Sequence, residues 1–161
     1  MFQSAMTFQE ASEMMHEQAT ARGKIHLGIP YVVLSALAFE TYLKCLLTIE
    51  AGQFPDSHNF KTLFQQLPRD TRHKLRKYHD THALPNMVGT ELLQKHGLKW
   101  DWDSLLEENQ DAFVLLRYPY EPQVREKIKV FGIKTLIRCT REFIFDRCPE
   151  WTRDEPTSPS Q

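Results

Sequence analysis

The sequence predicts an all-α protein, a helical bundle of five to six helices in which the long helices run antiparallel. Apolar residues recur at helical spacing through most of the 161 residues. No segment shows the alternation of a half-buried strand or the signal of a hairpin, and several prolines and glycines mark turns between the helical segments. A hydrophobic content of 41% and a charged content of 25% are ordinary for one soluble globular domain.

Four helices are predicted in the first half of the chain. Residues 5–22 carry apolar side chains at helical spacing, with Thr7 as the expected N-cap. Pro30 suits the first turn of a second helix, which is expected to end at Gly52. This second helix is apolar almost all round, so we expect it at the centre of the bundle. Two shorter helices follow at about 59–66 and 69–82.

The second half of the chain is more interrupted. Residues 85–101 suggest a loop around a helical turn at 90–96, followed by a helix over 104–114 with Asp103 or Ser104 as its cap. The two prolines in RYPYEP (117–122) must break regular structure, because proline lacks the backbone donor. A last long helix is predicted over 123–147. The domain is therefore expected over residues 1–147, with a disordered tail at 148–161.

Charge and composition narrow the functional classes. The formal net charge is −1 and the pI is about 6.7, so binding of a nucleic acid would need a local basic patch. The three cysteines and seven histidines show no metal-binding spacing, and neither a metal nor another cofactor is expected. Cys45 and Cys139 lie in apolar helical runs and are predicted to be buried thiols, which is typical of the reducing cytoplasm.

No membrane association is expected from the sequence. The N-terminus lacks the basic and apolar regions of a signal peptide. Charged and hydroxyl side chains interrupt the apolar stretch at 29–49, which indicates a core helix and not a membrane span. A cytoplasmic protein is therefore predicted.

Two neighbouring segments carry a more specific pattern. ALAFETYLKCLL (36–47) is an apolar helix with Glu40, Tyr42 and Lys44, and after a Gly-Pro turn SHNFKTLFQQLP (57–68) places His58 before spaced apolar residues. The pattern resembles the HEPN domain family. The resemblance implies a HEPN-like helical bundle and a homodimer that acts on or binds RNA or a nucleotide. It also implies a defence, stress or toxin–antitoxin setting, with a cognate nucleotidyltransferase or antitoxin protein as a partner.

Catalytic members of this family are metal-independent ribonucleases with an Arg-x(4–6)-His motif near the last helices. An imidazole suits removal of the 2′-hydroxyl proton near neutral pH, and a guanidinium stabilises charge that develops on the phosphate. Arg117 stands at the expected place, but residues 122–124 are Pro, Gln and Val where the histidine should fall. Tyr118, Tyr120 and Glu121 are the candidate substitutes around Arg117. The alternative is a rigid loop in which Arg117 pairs with Glu121.

The same spacing occurs one helix earlier, where Arg72 precedes His79 and Arg76 precedes His82. His79 and His82 are therefore candidate bases, although basic segments produce such spacings by chance.

The segment also contains the basic run of a candidate phosphate-binding patch, with a solvated helix face as the favoured alternative. The cations of that run are Arg69, Arg72, Lys74, Arg76 and Lys77.

Glu40 and Lys44 are four residues apart, the spacing of an intrahelical ion pair. A solvent-facing pair is the favoured interpretation, and a polar group lining an inter-subunit cleft is the alternative. His58 is interpreted as a cap or a packed histidine. Two functions stay open: a metal-independent endoribonuclease using Arg117 with His79 or His82, and a non-catalytic HEPN-like module that dimerises and binds a nucleotide or a partner.

Overall fold

The computed structural model describes residues 1–21, 23–83, 93, 95, 97, 99–115 and 131–152. In these ranges the chain is all-helical, without a β-strand, which confirms the predicted fold class. Short 3-10 turns lie at Ile25–Leu27 and Pro149–Thr152. The helices are α1 (Phe2–Ala21), α2 (Gly28–Ala51), α3 (Phe60–Gln66), α4 (Arg69–His82), α5 (Trp102–Asn109), α6 (Ala112–Leu115) and α7 (Ile133–Arg147).

Helix α2 is the central element, as its composition predicts. Ten of its 24 residues are buried, and α1, α3, α6 and α7 all pack against it. By length and composition α2 is the one helix in the described ranges that could cross a membrane, yet 56% of its most apolar window is buried inside the protein. That burial is the property of a core helix.

Helices α1 and α2 form an antiparallel hairpin. Contacts run in opposite directions along the two helices: Gln9 bonds Tyr42, and the His16 ring lies 4.8 Å from the Tyr31 ring. Helix α1 begins at Phe2, so the prediction that Thr7 caps it is wrong. The Thr7 hydroxyl instead donates to the carbonyl of Gln3 one turn back, inside the helix.

Local capping chemistry fixes most of the other boundaries. Gly52 ends α2 with a φ of 71°, a left-handed conformation that glycine adopts without strain. The Asn59 side chain accepts a hydrogen bond from the Thr62 amide and starts α3, and Pro68 precedes α4. The cap of α5 is Asp101 and neither Asp103 nor Ser104 as predicted, because the Asp101 carboxylate accepts from the Ser104 amide.

The last long helix begins later than predicted. Residues 116–130 lie outside the described ranges, but Phe131 and Gly132 are not helical and α7 starts at Ile133. Gly132 has a φ of 67°, and a Cβ placed there would lie 2.7 Å from Cδ2 of Leu105. The helix predicted over 123–147 therefore does not run through Gly132, where the backbone approaches α5.

The core is built around aromatic residues of α2, α3 and α5. Its largest fully buried side chains are Trp102, Tyr42, Phe39, Phe60 and Phe64. Both cysteines predicted to be buried are buried. At the C-terminal end, Trp151 of the 3-10 turn packs against Phe2 of α1, with ring centroids 5.1 Å apart.

Candidate functional site

His79, the first candidate base, lies inside the protein. It is 2% exposed and on the buried face of α4, together with Thr71 and Leu75. Its ring meets the Trp102 ring edge to face at 5.9 Å, and Nδ1 lies 3.3 Å from a carboxylate oxygen of Asp80. The imidazole therefore has almost no contact with solvent in the described part of the chain. Its surroundings are those of a core histidine.

His82, the second candidate base, is exposed at the end of α4. Its ring stacks on Tyr78 with centroids 4.3 Å apart, and Nδ1 donates to the Tyr78 carbonyl at 2.9 Å. A carbonyl only accepts, so the neutral ring carries its proton on Nδ1 and leaves Nε2 as an acceptor. His82 therefore keeps the chemistry of a base.

The predicted basic run divides between two faces of α4. Arg69, Arg72, His73 and Arg76 follow the i, i+3, i+4, i+7 pattern of one helix face and, with Asp70, line an open groove of about 690 Å³. Lys77 is exposed but does not line this groove. The structure thus brings together part of the predicted phosphate-binding patch and adds His73, which the spacing argument did not use.

Two contacts order the arginine at one end of this groove. Nε and Nη2 of Arg76 each donate to Asp103 at 2.8 Å, and the guanidinium lies 4.9 Å from the centroid of the Phe64 ring. The hydrogen bonds to Asp103 raise the pKa of Arg76. The Nε atom of Arg72 is buried and has no hydrogen-bond partner among the described residues. The groove therefore contains one arginine paired with a carboxylate, Arg76, and one arginine, Arg72, whose buried Nε makes no hydrogen bond within the described residues.

Glu40 and Lys44 do form an intrahelical ion pair, at 2.9 Å, but the favoured interpretation of a solvent-facing pair is wrong. Their side chains are only 6% and 14% exposed. The same Glu40 oxygen also lies 2.9 Å from Nδ1 of His58, whose ring packs against Phe113. Glu40 thus joins the centre of α2 to the loop before α3, and its other oxygen is buried without a partner in the described ranges.

The contacts of Glu40 with Lys44 and His58 explain how the core helix α2 accommodates a charged pair. The carboxylate of Glu40 is compensated by two nitrogen donors from different elements, as a buried charge requires. The Lys44 ammonium also lies 5.4 Å from the Phe54 ring centroid, near the exposed end of the cluster. His58 packs its ring on Phe113 although its side chain is 42% exposed, and the cap of α3 is Asn59 and not His58.

The remaining predicted site residues are Arg117, Tyr118, Tyr120 and Glu121, and all four lie outside the described residues. Among the residues that are described, no cluster of three or more His, Cys, Asp or Glu side chains is arranged to hold a metal ion. No family model, no curated protein and no solved structure matches this chain.

Proposed function

We propose that this protein is a HEPN-like RNA-binding module whose phosphate-contacting surface is the α4 groove. The observation that carries the proposal is the line of Arg69, Arg72, His73 and Arg76 along one face of a single helix. From the first to the last of these positions is about 10 Å along the axis, enough to meet more than one phosphate of an extended strand. Such contacts release counterions, which lets a local patch bind RNA on a protein of near-zero net charge.

The non-catalytic form of the module is supported by the position of His79. It shares α4 with the groove but turns its ring into the core against Trp102. A general base must come within hydrogen-bond reach of the proton that it removes. The histidine among the groove's lining residues is His73, and neither predicted base, His79 or His82, is one of them.

Ribonuclease activity is the second candidate, and it rests on His82. This histidine is exposed, and the bond from Nδ1 to the Tyr78 carbonyl leaves Nε2 free to accept a proton. In this version Arg117 would supply the phosphate contact, as the family resemblance implies. Three further parts of the proposal rest on that resemblance alone: the homodimer, the defence or toxin–antitoxin setting, and the nucleotidyltransferase or antitoxin partner. The cytoplasmic location is proposed from the cysteines and the N-terminal sequence.

Fluorescence anisotropy with a labelled single-stranded RNA, measured over a series of salt concentrations, tests the binding surface. The wild type should bind, with a salt dependence that reports the phosphate contacts. Removing two cations in Arg69→Ala/Arg72→Gln should reduce the slope of log K against log salt by about 1.4, since each phosphate contact contributes about 0.7 for a single strand. Lys77→Ala is the matched control, an exposed cation of the same helix outside the groove, and should leave the slope nearly unchanged.

If the control and the groove variant weakened RNA binding equally, the assignment of the binding surface to the α4 groove would be contradicted.

Incubation of the same RNA with EDTA tests the two forms of the function. No cleavage by the wild type supports the binding module. Cleavage that is lost in His82→Ala and Arg117→Ala, but kept in the Lys77 control, would establish the ribonuclease instead.

A further inference from the structure

A second groove lies on another part of the bundle, between α1 and α7, which both pack on α2. It has a volume of about 380 Å³, within the range of small-molecule sites. Its polar lining comes from Gln9, Ser12 and Glu13 of α1 and from Lys134, Arg138 and Arg141 of α7.

The α7 wall of this groove is strongly cationic. Lys134, Arg138 and Arg141 follow the i, i+4, i+7 pattern that aligns side chains on one helix face. Within the described chain, neither Lys134 nor Arg138 forms an ion pair with a carboxylate. Arg138 donates from Nη2 to the His82 carbonyl at 3.2 Å, which uses one of its five donors. Within the described residues, the charge of Arg138 is therefore not neutralised by an ion pair.

The α1 wall is polar and held in place. The Tyr42 hydroxyl donates to Oε1 of Gln9 at 2.9 Å, and Nε2 of Gln9 donates to Glu13 at 2.8 Å. Gln9 and Ser12 are both buried. Among the described residues, Glu13 is the carboxylate that lines the groove, and it is bonded to its neighbour Gln9 on α1, while Glu142 pairs with Arg141.

The first and last of the three α7 cations, Lys134 and Arg141, are constrained in position. Arg141 is held by Glu142, which accepts from Nε at 3.1 Å and from Nη2 at 2.6 Å. Lys134 lies 5.2 Å from the Tyr31 ring centroid. Partial burial lowers the pKa of Lys134, although the charges of Glu13 and Glu17 act in the opposite direction. The groove therefore presents ordered cations that are only partly compensated.

We propose that the α1–α7 groove binds a doubly charged phosphate group, either free or as a small phosphate monoester. Arg138 and Arg141 donate hydrogen bonds to the phosphate oxygens, and Lys134 adds a point charge. The limited volume fits a small ligand, in contrast to the open face of α4. This site is independent of the proposed RNA surface, because it uses none of the α4 cations.

Isothermal titration calorimetry of the full chain at low ionic strength tests the proposal with three probes. Inorganic phosphate and glycerol 3-phosphate carry the charged group, and glycerol is the uncharged control. We expect at least one of the phosphates to bind and glycerol not to bind. The ratio of the two phosphate affinities identifies the source: tighter binding of glycerol 3-phosphate indicates a monoester site, and equal or tighter binding of inorganic phosphate indicates a site for the free ion.

Variants then locate the site. Arg138→Gln and Arg141→Gln should each weaken phosphate binding at least about tenfold, because each loses a charge-assisted hydrogen bond. Lys77→Gln, the removal of an exposed cation elsewhere, should leave the affinity unchanged. No binding of either phosphate at about 10 mM, well above a millimolar Kd, would overturn the proposal, as would equal affinities in all three variants. Circular dichroism of each variant confirms that loss of binding is not loss of the fold.

The RNA titration separates this site from the α4 groove. Arg141→Gln should leave RNA affinity unchanged, and Arg69→Ala/Arg72→Gln should leave phosphate affinity unchanged. If Arg141→Gln weakened RNA binding as much as the α4 variant does, the α1–α7 groove would be part of the RNA surface and the proposal of a separate small-ligand site would be wrong.

Discussion

Replacing Glu40 by Gln tests whether the buried charge cluster of α2 stabilises the fold. The substitution keeps the size and shape of the side chain but removes its negative charge. Lys44, only 14% exposed, then loses its counter-ion, while His58, whose side chain is 42% exposed, can recover hydrogen bonds from water. The loss of stability should therefore come mainly from the unpaired charge of Lys44.

The magnitude follows from these exposures. Breaking a fully buried pair costs about 3–5 kcal/mol, and the solvated His58 places this cluster toward the lower end of that range. We expect a loss of about 3 kcal/mol, which corresponds to a fall in Tm of about 6–12 °C for a chain of this size. Urea unfolding followed by circular dichroism measures the free energy of unfolding of the wild type and the variant.

The chain contains a matched control for this experiment. Asp70 and Lys74 form the same i, i+4 acid–lysine pair on α4, at 2.6 Å, but both side chains are exposed. Exposed pairs contribute little because water screens them, so Asp70→Asn should leave the unfolding transition unchanged within error. If Glu40→Gln were equally neutral, the argument that burial gives this cluster its stabilising effect would be refuted.

Three further changes have expected outcomes. Gly132→Ala should cost about 1–3 kcal/mol in urea unfolding, because it strains a positive φ and forces a Cβ against the buried Leu105; a neutral effect would contradict the close approach. Asn59→Ala should cost about 1 kcal/mol through loss of the α3 cap, whereas Asn59→Ser should retain most of the stability. Burial raises the pKa of Cys45 and Cys139 from 9.0 to about 11. The unfolded chain therefore loses these protons first, and stability should fall as the pH rises from 9 to about 11. The Cys45→Ala/Cys139→Ala variant should show a smaller fall over this range, and an unchanged fall would contradict the assignment.

The helix boundaries that were predicted well are those with strong local signals. Gly52 ends α2, and the predicted spans of α3 and α4 are within a residue of those observed. The last helix was predicted too long, because an apolar repeat continues on either side of Gly132 and does not show where the backbone turns. That turn depends on contact with Leu105, which is distant in sequence.

Motif spacing did not indicate that His79 and Glu40 are buried, because spacing carries no information about which helix face meets the core. His79 lies four residues after Leu75, on the same helix face as this apolar residue, and that spacing could have indicated a core position. Glu40 likewise stands in a helix that is apolar almost all round, so no solvent-facing side was available to it. In both cases the pattern of the neighbours carried more information than the residue itself.

The sequence by itself determined that this protein is helical, that α2 is its central helix, and which cysteines are buried. These properties depend on periodicity, capping and composition, which act over a few residues. The tertiary structure alone decided that Glu40 meets His58, that His79 packs on Trp102, and that the cations of α4 and α7 line separate grooves. Those outcomes depend on which helix faces meet, and that is set by packing between segments far apart in the chain.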